Sequence, residues 1–252
     1  MRKIFSMIVV ALAALLVATS CELASGTDPN PNRKNTLLWG QVNDVINKHY
    51  DHAVAVAHLN DILLDKSYIE IAYQPCDFMA DENIYTLRYG STYSARSYRI
   101  KTDGKRLDEG GEWDIYYRTS TYAEYVQIGK ATGIMGETSK FNLSIDNKEY
   151  AQSYLAYCYA AESEIEYEYD SFLRDCLCVK YNTFKGTIAE RSQQTDFTIE
   201  FEVVEPLVIF LSLEQGKINI LYKDLVKDTK RELTVQIANK IITFVPQNSS
   251  NW

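Results

Sequence analysis

The residues able to do chemistry are few and unevenly placed. Histidine occurs three times, as His49, His52 and His58, all within one stretch. His49 and His52 stand three apart, a spacing that sets two imidazoles on one helical face, as metal ligands often are. His58 falls on a different side of the same helical wheel, and no carboxylate or cysteine at a recognised spacing completes a ligand set. His49 also sits in an apolar stripe, so the expected role is a hydrogen-bonded core histidine, with no metal and no cofactor.

Cysteine gives a second set: Cys76, Cys158, Cys176 and Cys178, besides Cys21 near the start. On a strand Cys176 and Cys178 would share one face about 6.5–7 Å apart, which disfavours a bond between them. A bridge from Cys76 to Cys158, one from Cys158 to the later pair, and free buried thiols all stay open. The C-x-C spacing lacks the two-residue gap of a zinc knuckle.

Tyrosine is in excess: 17 of the 19 lie between Tyr68 and Tyr181. Several alternate as strand residues do, among them Tyr85 and Tyr89, Tyr93, Tyr98, Tyr117, Tyr122 and Tyr125, Tyr150 and Tyr154, Tyr157 and Tyr159. A ring face with a hydroxyl suits a cleft for a sugar or another flat ligand. The plainer account is that tyrosine favours sheet surfaces and needs no ligand to explain it.

Support for catalysis is thin. The chain has no G-x-S-x-G, H-E-x-x-H, P-loop or G-x-G-x-x-G pattern, so no catalytic residue is assigned. With 34 carboxylates some close pair is inevitable, and a glycosidase dyad cannot be singled out. The acidic stretch from Glu162 to Asp170 reads as the solvated side of a strand, and its strict alternation argues against a calcium loop. Composition narrows the partners further. At 252 residues, 46% hydrophobic and 24% charged, this is the make-up of a folded protein. Its 26 basic residues against 34 acidic ones give −8, which disfavours nucleic acid and electrostatic attachment to anionic lipid. Loss of Arg2 and Lys3 with a cleaved leader would make the chain more acidic still.

The N-terminus carries an address. Met1-Arg2-Lys3 precedes an apolar run from Ile4 to Val17, too short for a membrane span, and then Ala18-Thr19-Ser20-Cys21. This small-residue triplet before cysteine resembles the lipobox of bacterial lipoproteins, although Ala18 stands where leucine is commoner. The resemblance implies a signal peptide over residues 1–20, a diacylglyceryl group on the Cys21 thiol, and acylation, palmitate included, of the new amino terminus. Two or three acyl chains anchor firmly where one does not. Residues 21–34 then read as the lipidated cysteine and a polar, flexible tether. That short tether, with little Pro or Gly elsewhere, resembles small lipoproteins of gut-type Bacteroidota. The implied location is the cell envelope at the outer membrane, on either its periplasmic or its surface side.

The elements that must position these residues come next. From Thr36 to Leu64 there is no proline, and Leu38, Val42, Val45, His49, Val56 and Leu63 fall in one sector at helical period, with Asn35 as N-cap. Beyond Ser67 the period becomes two. Ile165, Tyr167 and Tyr169 alternate with Glu164, Glu166 and Glu168; Phe197 to Val203 and Leu233 to Ile237 repeat the pattern. Turn signals are Asp103-Gly104, Gly110-Gly111, Asp146-Asn147, Gln215-Gly216 and Asn239-Lys240. Gly111-Glu112-Trp113 resembles the G-x-W of lipocalin-type barrels and hints at a barrel. The expected fold is mainly β: an antiparallel meander, a sandwich or a partly open barrel, with one long N-terminal amphipathic helix. Residues 35–252 would form a single helix-plus-β domain.

The expected function is that of an exported, lipid-anchored envelope protein, a non-enzymatic module binding a glycan or protein partner, held to the membrane through Cys21. The alternatives are a glycan- or peptidoglycan-directed hydrolase using an Asp/Glu pair, and an assembly protein pairing through an edge strand.

Overall fold

The computed structural model describes residues 31–64, 77–89, 96–118, 124–147, 157–169, 177–191, 196–210 and 212–246. Residues 1–20, Cys21, Cys76, Cys176, Tyr93, Tyr122, Tyr150 and Tyr154 lie outside the described residues, as do the side chains of Tyr157 and Cys158.

A helix, α1 (Pro31–Leu63), comes first, and twelve strands follow. They are β1 (Asp77–Asp81), β2 (Ile84–Tyr89), β3 (Arg96–Thr102), β4 (Glu112–Arg118), β5 (Val126–Gly133), β6 (Lys140–Asn147), β7 (Tyr157–Tyr169), β8 (Leu177–Arg191), β9 (Asp196–Phe210), β10 (Ser212–Asp224), β11 (Thr229–Ala238) and β12 (Ile241–Pro246). They form one sheet in chain order, each antiparallel to the next, and β1 does not pair with β12. The fold is thus the mainly β meander with an N-terminal helix, in an unclosed form.

At its N-terminus the helix overruns its expected start. Proline fits a first helical turn, because its fixed φ suits the helix and its missing N–H would have no partner there. Pro31 to Lys34 therefore belong to the helix and not to the tether, and Asn35 is not a cap. It is a buried helix residue whose side-chain oxygen accepts a hydrogen bond from Arg231 on β11.

The helix is about 50 Å long at the usual rise, and the sheet curls around it. Tyr89 on β2 and Tyr98 on β3 meet it from one side; Tyr159, Tyr167 and Tyr181 on β7 and β8 meet it from the other. Burial follows this enclosure. Leu38, Val42, Val45, His49 and Val56 of the expected stripe are buried, and Leu63 is half-buried. From His52 to Asp61 every residue except half-buried Val54 is buried, whichever way it points. Ala53, Ala55 and Ala57 are small enough to let strands approach closely there.

On the strands, alternation sets the inner face. Ile165 and Tyr167, Phe197, Ile199 and Phe201, and Leu233, Val235 and Ile237 are all buried. Gly186 continues the inward row of β8, and a Cβ there would come within 2.4 Å of the Phe201 ring, so only glycine lets that ring cross. Trp113 is fully buried, and its indole N–H donates to the Lys105 carbonyl at 2.9 Å.

Three of the turn signals are turns, and two are not. Gly104 and Gly110 take positive φ between β3 and β4, while Asn239 and Lys240 have φ of 50° and 68°, the two-residue hairpin type. Asp146-Asn147 instead ends β6, with Asn147 buried. Gln215-Gly216 lies inside β10 where its register against β9 shifts, so it marks a bulge.

Candidate functional site

The polar residues of α1 meet the tyrosines of the sheet. His52 Nδ1 lies 3.0 Å from the Tyr98 hydroxyl and its Nε2 lies 3.1 Å from that of Tyr159. A neutral imidazole donates from one nitrogen and accepts at the other, so one hydroxyl accepts and the other donates. His49 Nδ1 faces the Tyr181 hydroxyl at 3.4 Å and its Nε2 faces Ser163 Oγ at 3.5 Å. His58 Nδ1 lies 2.9 Å from the Tyr89 hydroxyl, with the two rings stacked. Two residues on, Asn60 donates to the Tyr167 hydroxyl at 2.8 Å and to the Thr138 carbonyl at 2.8 Å. The Asp61 carboxyl accepts from Tyr167 at 2.9 Å and from Tyr169 at 2.7 Å.

Burial sets the electrostatics of this row. It pushes His52 down to about 3, aided by the positive charges of Arg96 and Lys48, and it pushes His58 down to about 4, against the pull of Asp61. Burial lowers His49 well below its ordinary value, and His52 adds to the effect. The same loss of water raises Tyr98, Tyr181, Tyr89, Tyr167 and Tyr169. Each group is therefore held neutral in the interior, where an imidazole and a phenol satisfy one another.

This places the sequence candidates plainly. All three histidines are core histidines bonded to tyrosine, His49 among them. Among the described residues no group of three or more His, Cys, Asp or Glu side chains is arranged to hold a metal ion. Cys178 is half-buried on β8. Glu162, Glu164, Glu166 and Glu168 lie on the outward side of β7, with Glu162 and Glu166 beside Lys185 and Lys180.

Among the described residues, two openings bear on a site. The smaller is a slot of about 220 Å³ between α1, the β2–β3 hairpin and the start of β8, lined by Tyr50, Asp51, Val54, Tyr89, Arg96, Tyr98 and Leu177. Arg96 and Asp51 form an ion pair at it, and the Tyr50 hydroxyl donates to the Leu177 carbonyl at 3.2 Å. Burial opposes the Arg96 charge, and the Asp51 carboxylate outweighs it. The slot is smaller than the roughly 300–1,000 Å³ of sites enclosing a drug-sized ligand, so it suits a single ring or the end of a larger molecule. The wider opening, about 520 Å³, lies on the outer face across β5 to β9.

Sequence reasoning found Tyr89 and Tyr98 but missed Tyr50, Asp51, Arg96, Asn60 and Asp61. The run His58-Leu59-Asn60-Asp61, polar at the end of an otherwise alanine- and valine-rich helical segment, was the signal that could have found the last two. Compared with protein-family models, with curated proteins and with solved structures, the chain matches none.

Proposed function

We propose that this chain is an exported envelope protein, lipid-anchored through Cys21, that works as a non-enzymatic binding module seating a small flat ligand in the tyrosine slot. The observation that carries this reading is the lining itself. Three tyrosine rings with Val54 and Leu177 offer apolar walls, and the Arg96–Asp51 pair offers polar contacts to a ring substituent. Both nitrogens of His52, the Nδ1 of His58 and the Asp61 carboxyl behind the slot already meet tyrosine hydroxyls, which gives them a structural role. The anchor rests on the lipobox resemblance.

The test is calorimetric titration of the full-length protein with benzoate and with benzyl alcohol. Binding of either that is weakened about tenfold or more by Val54→Phe, which fills the slot, is the expected result. No heat with both probes, or binding indifferent to Val54→Phe, would overturn the slot. Cys21→Ala is expected to move the protein from the membrane fraction to the soluble fraction; retention with membranes would overturn the anchor.

An assembly role has an observation of its own. β12 is a sheet edge without a charged residue, and Ile241, Ile242 and Val245 on it are exposed. The opposite edge, β1, carries Asp77 and Asp81. An uncharged apolar edge invites strand pairing, whereas charges on an edge block it.

A further inference from the structure

The outer-face groove is a second seat, distinct from the tyrosine slot, and its origin is local. Between β8 and β9 the pairing steps from Tyr181↔Leu207 to Lys185↔Glu202, four residues on one strand against five on the other. Beside it, the β7–β8 ladder shifts between Glu164 and Ile165. Adjacent bulges bend a sheet and increase its twist, and here the outer face folds into the groove of about 520 Å³.

Register then dictates what lines it. Ser144, Glu162, Lys185 and Glu202 stand opposite one another in a row across β6, β7, β8 and β9. At about 4.8 Å per strand that row spans roughly 14 Å. A second row places Thr132, Asn142, Glu164 and Thr183 side by side. Val203, half-buried, adds an apolar patch at one wall. The floor is backed from inside by Phe184, which is fully buried and packs on Tyr181, Phe201 and His49. A groove with so stiff a backing keeps its shape without a ligand, which lowers the cost of binding.

The lining selects a chemistry. Lys185 and the Asn142 amide group donate, the carboxylates of Glu162 and Glu202 accept, and the hydroxyls of Thr132 and Ser144 do both. Only a ligand studded with groups that both donate and accept can use such a mixture. Two carboxylates against one ammonium repel phosphates and other anions. The Glu162–Lys185 pair at 3.1 Å is about two-thirds exposed on both sides, so it is a weak pair that ligand hydroxyls can replace. We infer that the groove binds a neutral saccharide of one or two rings, laid along the row from Ser144 to Glu202.

The experiment is calorimetric titration of the full-length protein in detergent micelles with maltose, cellobiose and N,N′-diacetylchitobiose. At least one should bind, and Ser144→Trp, which fills the groove from an outward position, should weaken it about tenfold or more. Lys185→Ala should weaken it by a smaller factor, and Val54→Phe in the slot should leave it unchanged. Circular dichroism confirms that each variant is folded, and Thr132→Trp replaces Ser144→Trp if that variant is not. Three silent sugars well into the tens of millimolar, or binding indifferent to both groove tryptophans, would overturn the inference. Loss of sugar binding through Val54→Phe would assign the sugar to the slot and equally overturn it.

Discussion

At the scale of single residues, the molecule's polar chemistry is spent on holding itself together. His52 satisfies two tyrosine hydroxyls in a place that no water reaches. Replacing it by leucine keeps the volume and removes the imidazole partner from both hydroxyls, and a lost buried hydrogen bond of this kind costs about 1–3 kcal/mol. His52→Leu is therefore expected to lower stability by about 2–5 kcal/mol in chemical denaturation. Adding Tyr98→Phe and Tyr159→Phe to it should recover part of that loss, because the hydroxyls that lost the imidazole are then gone. A loss that the triple variant leaves untouched would mean packing, not polarity, is what His52 provides. The candidates at this scale were half legible. Histidine in an apolar stripe reads as core, but which tyrosine would reach it depends on strands more than a hundred residues away, as with Tyr159 and Tyr181.

At the scale of elements, the helix and its surrounding sheet form a pH-dependent unit. His52 and His58 have folded-state values of about 3 and about 4, below the ordinary 6.5, and His49 is shifted the same way. The unfolded chain thus binds protons that the folded chain refuses. Stability from this source is full above pH 6.5 and falls as the pH drops toward 4 and then 3. Each histidine contributes at most about 1.4 kcal/mol per pH unit over its window. Urea titrations at pH 7, 6, 5 and 4.5 should show the midpoint falling steadily. A flat midpoint over that range would show that these imidazoles stay protonated or solvated. Carboxylates that lose their partners add to the fall only at the acid end. His58→Gln, which cannot charge, should flatten the slope by about one third, since three such histidines contribute.

At the scale of the whole molecule, an unclosed sheet has two ends to manage. Among the described strands β12 pairs with β11 alone, Ile241, Ile242 and Val245 on it are exposed, and the assembly reading has two copies joined there in antiparallel pairing. Sedimentation of the full-length protein in detergent should then show a dimer that Ile242→Lys converts to monomer. A monomer at every concentration would remove that reading. Elsewhere the outer face carries cross-strand pairs such as Lys180–Glu166, Lys185–Glu162 and Lys217–Glu205, which add little stability.

The sequence by itself determined the fold class and the sidedness of most strands. A change of period from 3.6 to two is a local property, written in residues a few positions apart such as Ile165, Glu166 and Tyr167. It determined the hairpin at Asn239-Lys240 for the same reason, and the lipobox resemblance at Cys21 is equally local. It misjudged Pro31 to Asn35, because helix ends depend on what the first turn packs against, here Arg231 on β11. Only the tertiary structure decided that the sheet curls around the helix and stays open, and hence that all three histidines are enclosed. It alone brought Tyr50 beside Tyr89 and Leu177 to make a slot, and aligned Ser144, Glu162, Lys185 and Glu202 across four strands. Those placements come from pairing register and from the bulges that bend the sheet, and both are long-range. No periodicity within a single strand records which neighbour it will meet.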